Sequence, residues 1–269
     1  MEEIKKNNPV INWQITGEGK IVLLFVHGAF IDQSYWQSQV DYFSKNYMVV
    51  TIDLPGHGKS GKERIHWTIE NFAEDVIFVV RELNLKNVIL IGHSIAGDIN
   101  LVAATSNPSL FIGFIGIDNF KNAATPLTPD YRQQADAIID NIKTDFAATC
   151  EQYARVALLT PQTLPQVANH VIGDYRKALH PMGVEIIEES FNMDKLEARL
   201  LPNLQLTLHL INADYMPTNE EALKKYATNG YDLVEIKGTS HFPMLENPDE
   251  LNRFLEQTIN KIKLANTVG

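Results

Sequence analysis

One serine stands where two kinds of sequence meet, in IGHSIAGDIN (91–100). The run before it, NVILIG (87–92), is apolar and β-branched, and the residues after it carry a helical pattern. Ser94 is therefore expected at a strand-to-helix corner, where a strained backbone lifts the hydroxyl above the sheet. Such a hydroxyl can attack an acyl carbonyl if a nearby base takes its proton. Strand and helix almost touch at such a corner, so the flanking residues must be small. Gly92 meets that need two residues before the serine. Two residues after it, Ala96 stands where glycine is usual, and the glycine arrives one step late as Gly97. A single methyl is compatible with the corner, and Gly97 can still help the helix approach. The helix start leaves the Ile95 N–H free to hold an oxyanion. Taken alone, the same residues also suit Ser94 as a plain helix N-cap. His93 is expected to pack in the corner and not to act as the base, because neighbouring side chains diverge there.

A nucleophilic serine needs a base, and the base needs a carboxylate to orient it. Of the eight histidines, His241 is suitably placed, in the loop GTSHFPMLENP between an apolar strand and the last helix. His209 lies inside a strand, His27 and His57 sit beside glycines, and His170 and His180 fall in a helical stretch. Two carboxylates compete as the acid: Asp214 in INADYMPTNE and Asp118 in IGIDNF. Asp214 follows a strand, Asp118 ends the preceding one, and both lie on the sheet edge where sites form. The chain order Ser, Asp, His favours Asp214 and leaves Asp118 as the alternative. Either could instead cap a turn, and Thr218 or Asn219 could do that work near Asp214. No His, Asp, Glu or Cys spacing suggests a metal, and no cofactor is expected.

The elements that would position these groups alternate along the chain. IVLLFV (21–26), MVVTID (48–53), NVILIG, FIGFIGID (111–118), LQLTLHLI (204–211) and YDLVEI (231–236) read as strands covered on both faces, as in a parallel sheet. PVINWQIT (9–16) alternates more and is expected to form an antiparallel edge hairpin with the next strand. Residues 70–83 and 95–106 show single apolar faces. The last helix opens with Asn247 as N-cap, Pro248 in the first turn and Glu250 as capping-box partner. Residues 120–199 break the alternation, with helices expected at 129–145, 149–158, 162–180 and 183–192. The expected fold is α/β, a doubly wound, mostly parallel sheet formed by 1–119 and 200–269, with 120–199 as a helical cap.

Bulk properties narrow the function classes. The 269 residues carry a formal net charge of −10, which disfavours nucleic-acid partners. The single cysteine, Cys150, excludes an intrachain disulfide. MEEIKKNNPVINW has no apolar segment of a secretory signal, and no run is long enough for a membrane helix. A cytoplasmic protein is expected, monomeric or homodimeric, without a nucleic-acid or membrane partner.

Four motifs in order resemble those of the α/β-hydrolase superfamily, in its cap-bearing group of serine hydrolases and esterases. LLFVHGAF (23–30) is similar to the His-Gly loop, DLPGHGKS (53–60) to the Asp-x-x-Gly-x-Gly-x-Ser loop, and GHSIAG to the nucleophile turn; SHFPMLENPDEL carries the histidine. The resemblance implies an oxyanion hole from the Ala29 and Ile95 N–H groups. It also implies acyl transfer at Ser94 in an ester-type bond, carboxylester or lactone, of a small and mainly apolar substrate. Relatives that open epoxides or displace halide carry aspartate at the nucleophile position, so those chemistries are not expected. Phe30, Phe146, Tyr153, Met182 and Phe191 are the candidate substrate contacts, with Leu158 a further apolar residue of the cap. C–C bond hydrolysis and perhydrolysis on the same triad remain alternatives. HGAFIDQSYW (27–36) also resembles the matching loop of hydrolase-fold signalling proteins, so a slow-turnover ligand sensor is the rival from another class.

Overall fold

A computed structural model describes residues 9–267. The reading of the N-terminus rests largely on residues 1–8, which lie outside the described residues. The strands are β1 (Asn12–Thr16), β2 (Val22–Val26), β3 (Met48–Asp53), β4 (Val88–His93), β5 (Phe111–Ile117), β6 (Leu208–Ala213) and β7 (Tyr231–Ile236). They form one sheet in the order β1-β3-β2-β4-β5-β6-β7. β2 to β7 run parallel and β1 antiparallel. The runs of β2 to β6 are buried on both faces because helices cover both sides, as the unalternating patterns predict, whereas β7, at the sheet edge, is only half-buried.

The helices are α1 (Gln37–Phe43), α2 (Ile69–Glu82), α3 (Ala96–Ser106), α4 (Pro129–Thr144), α5 (Phe146–Tyr153), α6 (Pro165–Lys177), α7 (His180–Ser190), α8 (Asp194–Leu200), α9 (Glu220–Tyr226), α10 (Pro243–Glu246) and α11 (Pro248–Thr267). Helices α4 to α8 all lie between β5 and β6, as a helical insertion into the sheet order. No helix among the described residues is long and apolar enough to cross a membrane.

Several expectations need correction. β1 pairs with β3 and makes no hairpin with β2, because β2 has both edges occupied by β3 and β4. The sixth strand starts at Leu208 and not at 204, because Leu204 still closes the 3-10 turn Leu201–Asn203. α5 begins earlier than predicted, since Asp145 accepts a hydrogen bond from the Ala148 N–H and caps it. A π turn, Ala154–Leu158, continues from it. α6 and α7 are also displaced, each with a proline in its first turn. α3 is buried on nearly every side, so its single-face reading was too narrow. Asn247 does cap α11 through Glu250 N, but the Glu250 carboxylate pairs with Arg253 and closes no capping box.

The corner after β4 is set by contact distances. A Cβ at Gly92 would lie 2.5 Å from Asn100 Nδ2 and 2.7 Å from the Ala96 carbonyl oxygen. The register pairs Gly92 with Gly116 and His93 with Ile117, so β4 and β5 end level with each other. Gly92→Ala is expected to lose about 1–3 kcal/mol in urea unfolding, because α3 must move off the strand. Ala96→Gly should cost no more than about 1 kcal/mol. An unchanged unfolding midpoint for Gly92→Ala would contradict the close approach.

Candidate active site

Ser94 has φ +56°, in the left-handed region that non-glycine residues seldom adopt. Its N–H donates to the Ile117 carbonyl at 3.0 Å, so the turn is held by the neighbouring strand. The helix-cap reading fails, because α3 begins with no side-chain cap. Ser94 instead lines a cavity of about 280 Å³ together with Ile95, Asp118, Tyr153, Tyr215 and His241.

The His241 ring has a defined tautomer. Nδ1 lies 2.5 Å from Asp118 Oδ2, and a carboxylate accepts, so Nδ1 carries the proton. Nε2 is then the bare nitrogen, and it is buried with no hydrogen-bond partner among the described residues. No hydrogen bond joins Ser94 Oγ to it, although both residues line the same cavity. His241 is held from behind as well. His93 Nε2 donates to its carbonyl at 2.7 Å, and its own N–H donates to the Leu158 carbonyl at 3.0 Å. Burial pushes the His93 ring down to about 3, so it stays neutral and serves as a support.

The structure gives His241 a different acid from the one that chain order favoured. Asp214 is exposed and accepts the Gly238 N–H at 2.9 Å, which ties down the start of the His241 loop. Asp118 meets the ring because that loop runs back across the end of β6 toward the centre of the sheet. Both Asp118 oxygens are saturated. Oδ2 takes His241 Nδ1 and the Tyr215 hydroxyl, the latter at 3.1 Å. Oδ1 takes the Ala213 N–H at 2.8 Å and lies 2.9 Å from Lys121 Nζ. Burial alone would raise this carboxyl, but the His241 hydrogen bond and the charges of His241 and Lys121 outweigh it and hold it below the ordinary range.

The loop after β2 completes the cavity. Gly28 allows it to approach, since a Cβ there would lie 2.7 Å from His93 Nδ1 and 3.0 Å from Ser94 Cβ. His27 fastens it: Nδ1 donates to the Gly28 carbonyl at 2.7 Å, and Nε2 accepts the Leu54 N–H at 2.9 Å. At the end of β3 Asp53 accepts the Gln33 and Lys59 N–H groups, each at 2.9 Å. The N–H groups of Ala29 and Ile95 have no acceptor among the described residues.

The predicted substrate contacts separate. Tyr153 lines the 280 Å³ cavity and also an adjoining groove of about 680 Å³ between α4 and α5. Phe191 and Leu158 line the groove. Phe30, Phe146 and Met182 are not on the Ser94 cavity wall. Phe30 stacks edge-on against Phe146 and Tyr175, and Met182 is fully buried beside Gly56. They join the insertion to the core. Lys121 and Tyr215 had escaped notice, because a lysine and a tyrosine in loops carry no motif. Among the described residues no group of three or more His, Cys, Asp or Glu could hold a metal ion.

Known proteins share this architecture. A solved hydrolase from Oleispira antarctica superposes with a TM-score of 0.82 at 19% identity, covering 93% of this chain and 94% of its own. The enol-lactonase from Burkholderia xenovorans LB400 superposes with a TM-score of 0.79 at 18% identity, over 93% and 96% of the two chains. In sequence, the Karrikin insensitive 2 receptor CA of Petunia hybrida is 24% identical over 255 residues, 88% of this chain and 91% of that one. The family model described as "Alpha/beta hydrolase family" matches residues 23–254. With that match spanning most of the chain and the fold agreeing, the protein belongs to the alpha/beta hydrolase family.

Proposed function

We propose that the protein is a serine hydrolase that cleaves an ester-type bond of a small to medium, mainly apolar substrate. The carrying observation is the ring of His241, its Nδ1 proton on Asp118 and its bare Nε2 in the cavity that Ser94 lines. In the proposed reaction Nε2 takes the Ser94 proton as Oγ attacks the carbonyl carbon. The N–H groups of Ala29 and Ile95 hold the oxygen that becomes negative. The imidazolium then gives its proton to the leaving oxygen, and the acyl group remains on Ser94. A water molecule, deprotonated by the same nitrogen, attacks the acyl carbon and frees the serine. Asp118 keeps the ring in its tautomer and stabilises the imidazolium.

The groove beside the cavity supports the apolar preference, since Leu127, Ile138, Val156, Ala157 and Phe191 line it. The lactone in the name of the superposed enol-lactonase falls within this chemistry. A slow-turnover ligand sensor using the same residues is the second reading. It is favoured by the likeness to a karrikin receptor across 88% of the chain. Fast turnover of p-nitrophenyl acetate that disappears in Ser94→Ala supports the enzyme. Very slow turnover together with a ligand-dependent rise in Tm supports the sensor.

Ser94→Ala and His241→Ala are each expected to lower kcat by at least about a thousandfold while Tm stays near wild type. Wild-type-like rates in either variant would remove the triad. Asp118→Asn should lose on the order of ten-thousandfold in kcat by disturbing the tautomer. Asp214→Asn should stay within about tenfold, because its carboxylate serves only a loop N–H. Kinetics in the reverse order would return the acid to Asp214.

A further inference from the structure

We propose that Lys121 is a positioning residue for this reaction: its buried ammonium keeps Asp118 ionised and thereby sets how far into acid the His241 base remains usable. The inference rests on the Ser94–His241–Asp118 reading above. Lys121 Nζ stands 2.9 Å from Asp118 Oδ1, with side-chain exposures of 8% and 0%. The ammonium also donates to the Ala213 carbonyl at 2.5 Å and the Met216 carbonyl at 2.9 Å, and it sits 4.3 Å from the centre of the Tyr215 ring. Three acceptors use its three protons, so none is left to hold a substrate group. What remains is its charge, held close to the carboxylate.

The physical need follows from the position of the acid. An exposed carboxylate such as Asp214 is stabilised by water, whereas Asp118 is enclosed and needs a counter-charge as well as hydrogen bonds. The backbone curls to supply one, with Asp118 and Phe120 both at positive φ, and this brings the lysine three residues on back over the carboxylate. Tyr215 and the Ala213 N–H donate to the same carboxylate but are neutral, so neither can replace the charge.

The other groups around the site leave this effect visible. Against His241 pack His93, at 4.5 Å between ring centres and neutral, and the Tyr215 ring. Beside Lys121 an adjoining cavity of about 190 Å³ carries Asp98 of α3 and Asp194 and Glu197 of α8. Burial raises both Asp98 and Glu197, and the hydrogen bond between them needs a shared proton, so the pair carries less charge than two free carboxylates and answers Lys121 only in part on that side. Removing the Lys121 charge acts twice in one direction. Asp118 takes up a proton more readily, and the imidazolium loses a repelling neighbour. The first removes the carboxylate that orients the ring and the second favours the imidazolium, so both withdraw the working Asp118–His241 pair at higher pH.

The test is the rate of Ser94 phosphorylation by diisopropyl fluorophosphate, with loss of fluoride, across the acid and neutral range, which needs no natural substrate. Lys121→Gln keeps donors toward the two carbonyls without the charge, and its acid limb is expected to move up by about one pH unit. Lys121→Met, which loses both, should move at least as far, and either neutral variant suffices for the comparison. Lys121→Arg keeps the charge and should hold the wild-type limb even if its plateau rate falls. A neutral variant that folds, with wild-type Tm, and overlays the wild-type profile would overturn the proposal and make Lys121 a loop tether. Absence of labelling in the wild-type protein would sink the triad reading itself, and this inference with it.

Discussion

A carboxylate with no exposed side-chain surface has to be answered by donors from every side, and Asp118 meets that condition with one neighbour in sequence, Lys121, and three groups remote from it. Leaving such a charge unpaired in the interior costs several kcal/mol. Its partners are Ala213 at the end of β6, Tyr215 just beyond it, Lys121 after β5 and His241 after β7. One buried charge thus joins the ends of three neighbouring strands. Asp214, directly between Ala213 and Tyr215 in sequence, stays in water and has a lesser task, holding the Gly238 N–H.

Backbone strain gathers around the same cavity. Phe30, Ser94, Asp118 and Phe120 all have positive φ, a conformation that costs side-chain-bearing residues about 1–3 kcal/mol each. Such costs persist only where packing leaves no alternative. Here the alternatives are closed by the Ile117 carbonyl on Ser94 N–H, by the Ile211 carbonyl on Asp118 N–H, and by His93 wedged against Gly28. The strained residues carry the proposed nucleophile, its acid and the start of the oxyanion loop. Their geometry is therefore set before any substrate arrives.

The helical insertion is fastened to the sheet by polar as well as apolar contacts. Glu185 and Glu189 of α7 accept the Trp67 and Ile69 N–H groups where α2 begins, and Tyr35 donates to Asp174 of α6. The Leu158 carbonyl takes the His241 N–H, so the insertion also bears directly on the proposed base. Phe30, Phe146 and Met182 belong to this joint. Phe30 and Met182 also line a separate cavity of about 340 Å³.

Much of the architecture was legible in local pattern. Unalternating β-branched runs marked the buried parallel strands, and small residues around Ser94 marked the corner. The Asn-Pro pair before residue 249 marked the last helix. The Gly-rich motifs marked the loops that crowd one another. These signals are short-range, because each states what a few neighbouring residues can do. The errors came where the answer depended on distant segments. β1 found β3 because the edge of β2 was already occupied. The ring of His241 faces Asp118 because the loop after β7 folds back over β6, and no spacing between 118 and 241 encodes that return. Lys121 carries no motif, and its importance comes from what is buried beside it. The sequence by itself determined the family of fold and singled out Ser94 and His241 as the candidates. The tertiary structure decided which aspartate answers that histidine, since a buried charge selects its partners by distance through space and not by order along the chain.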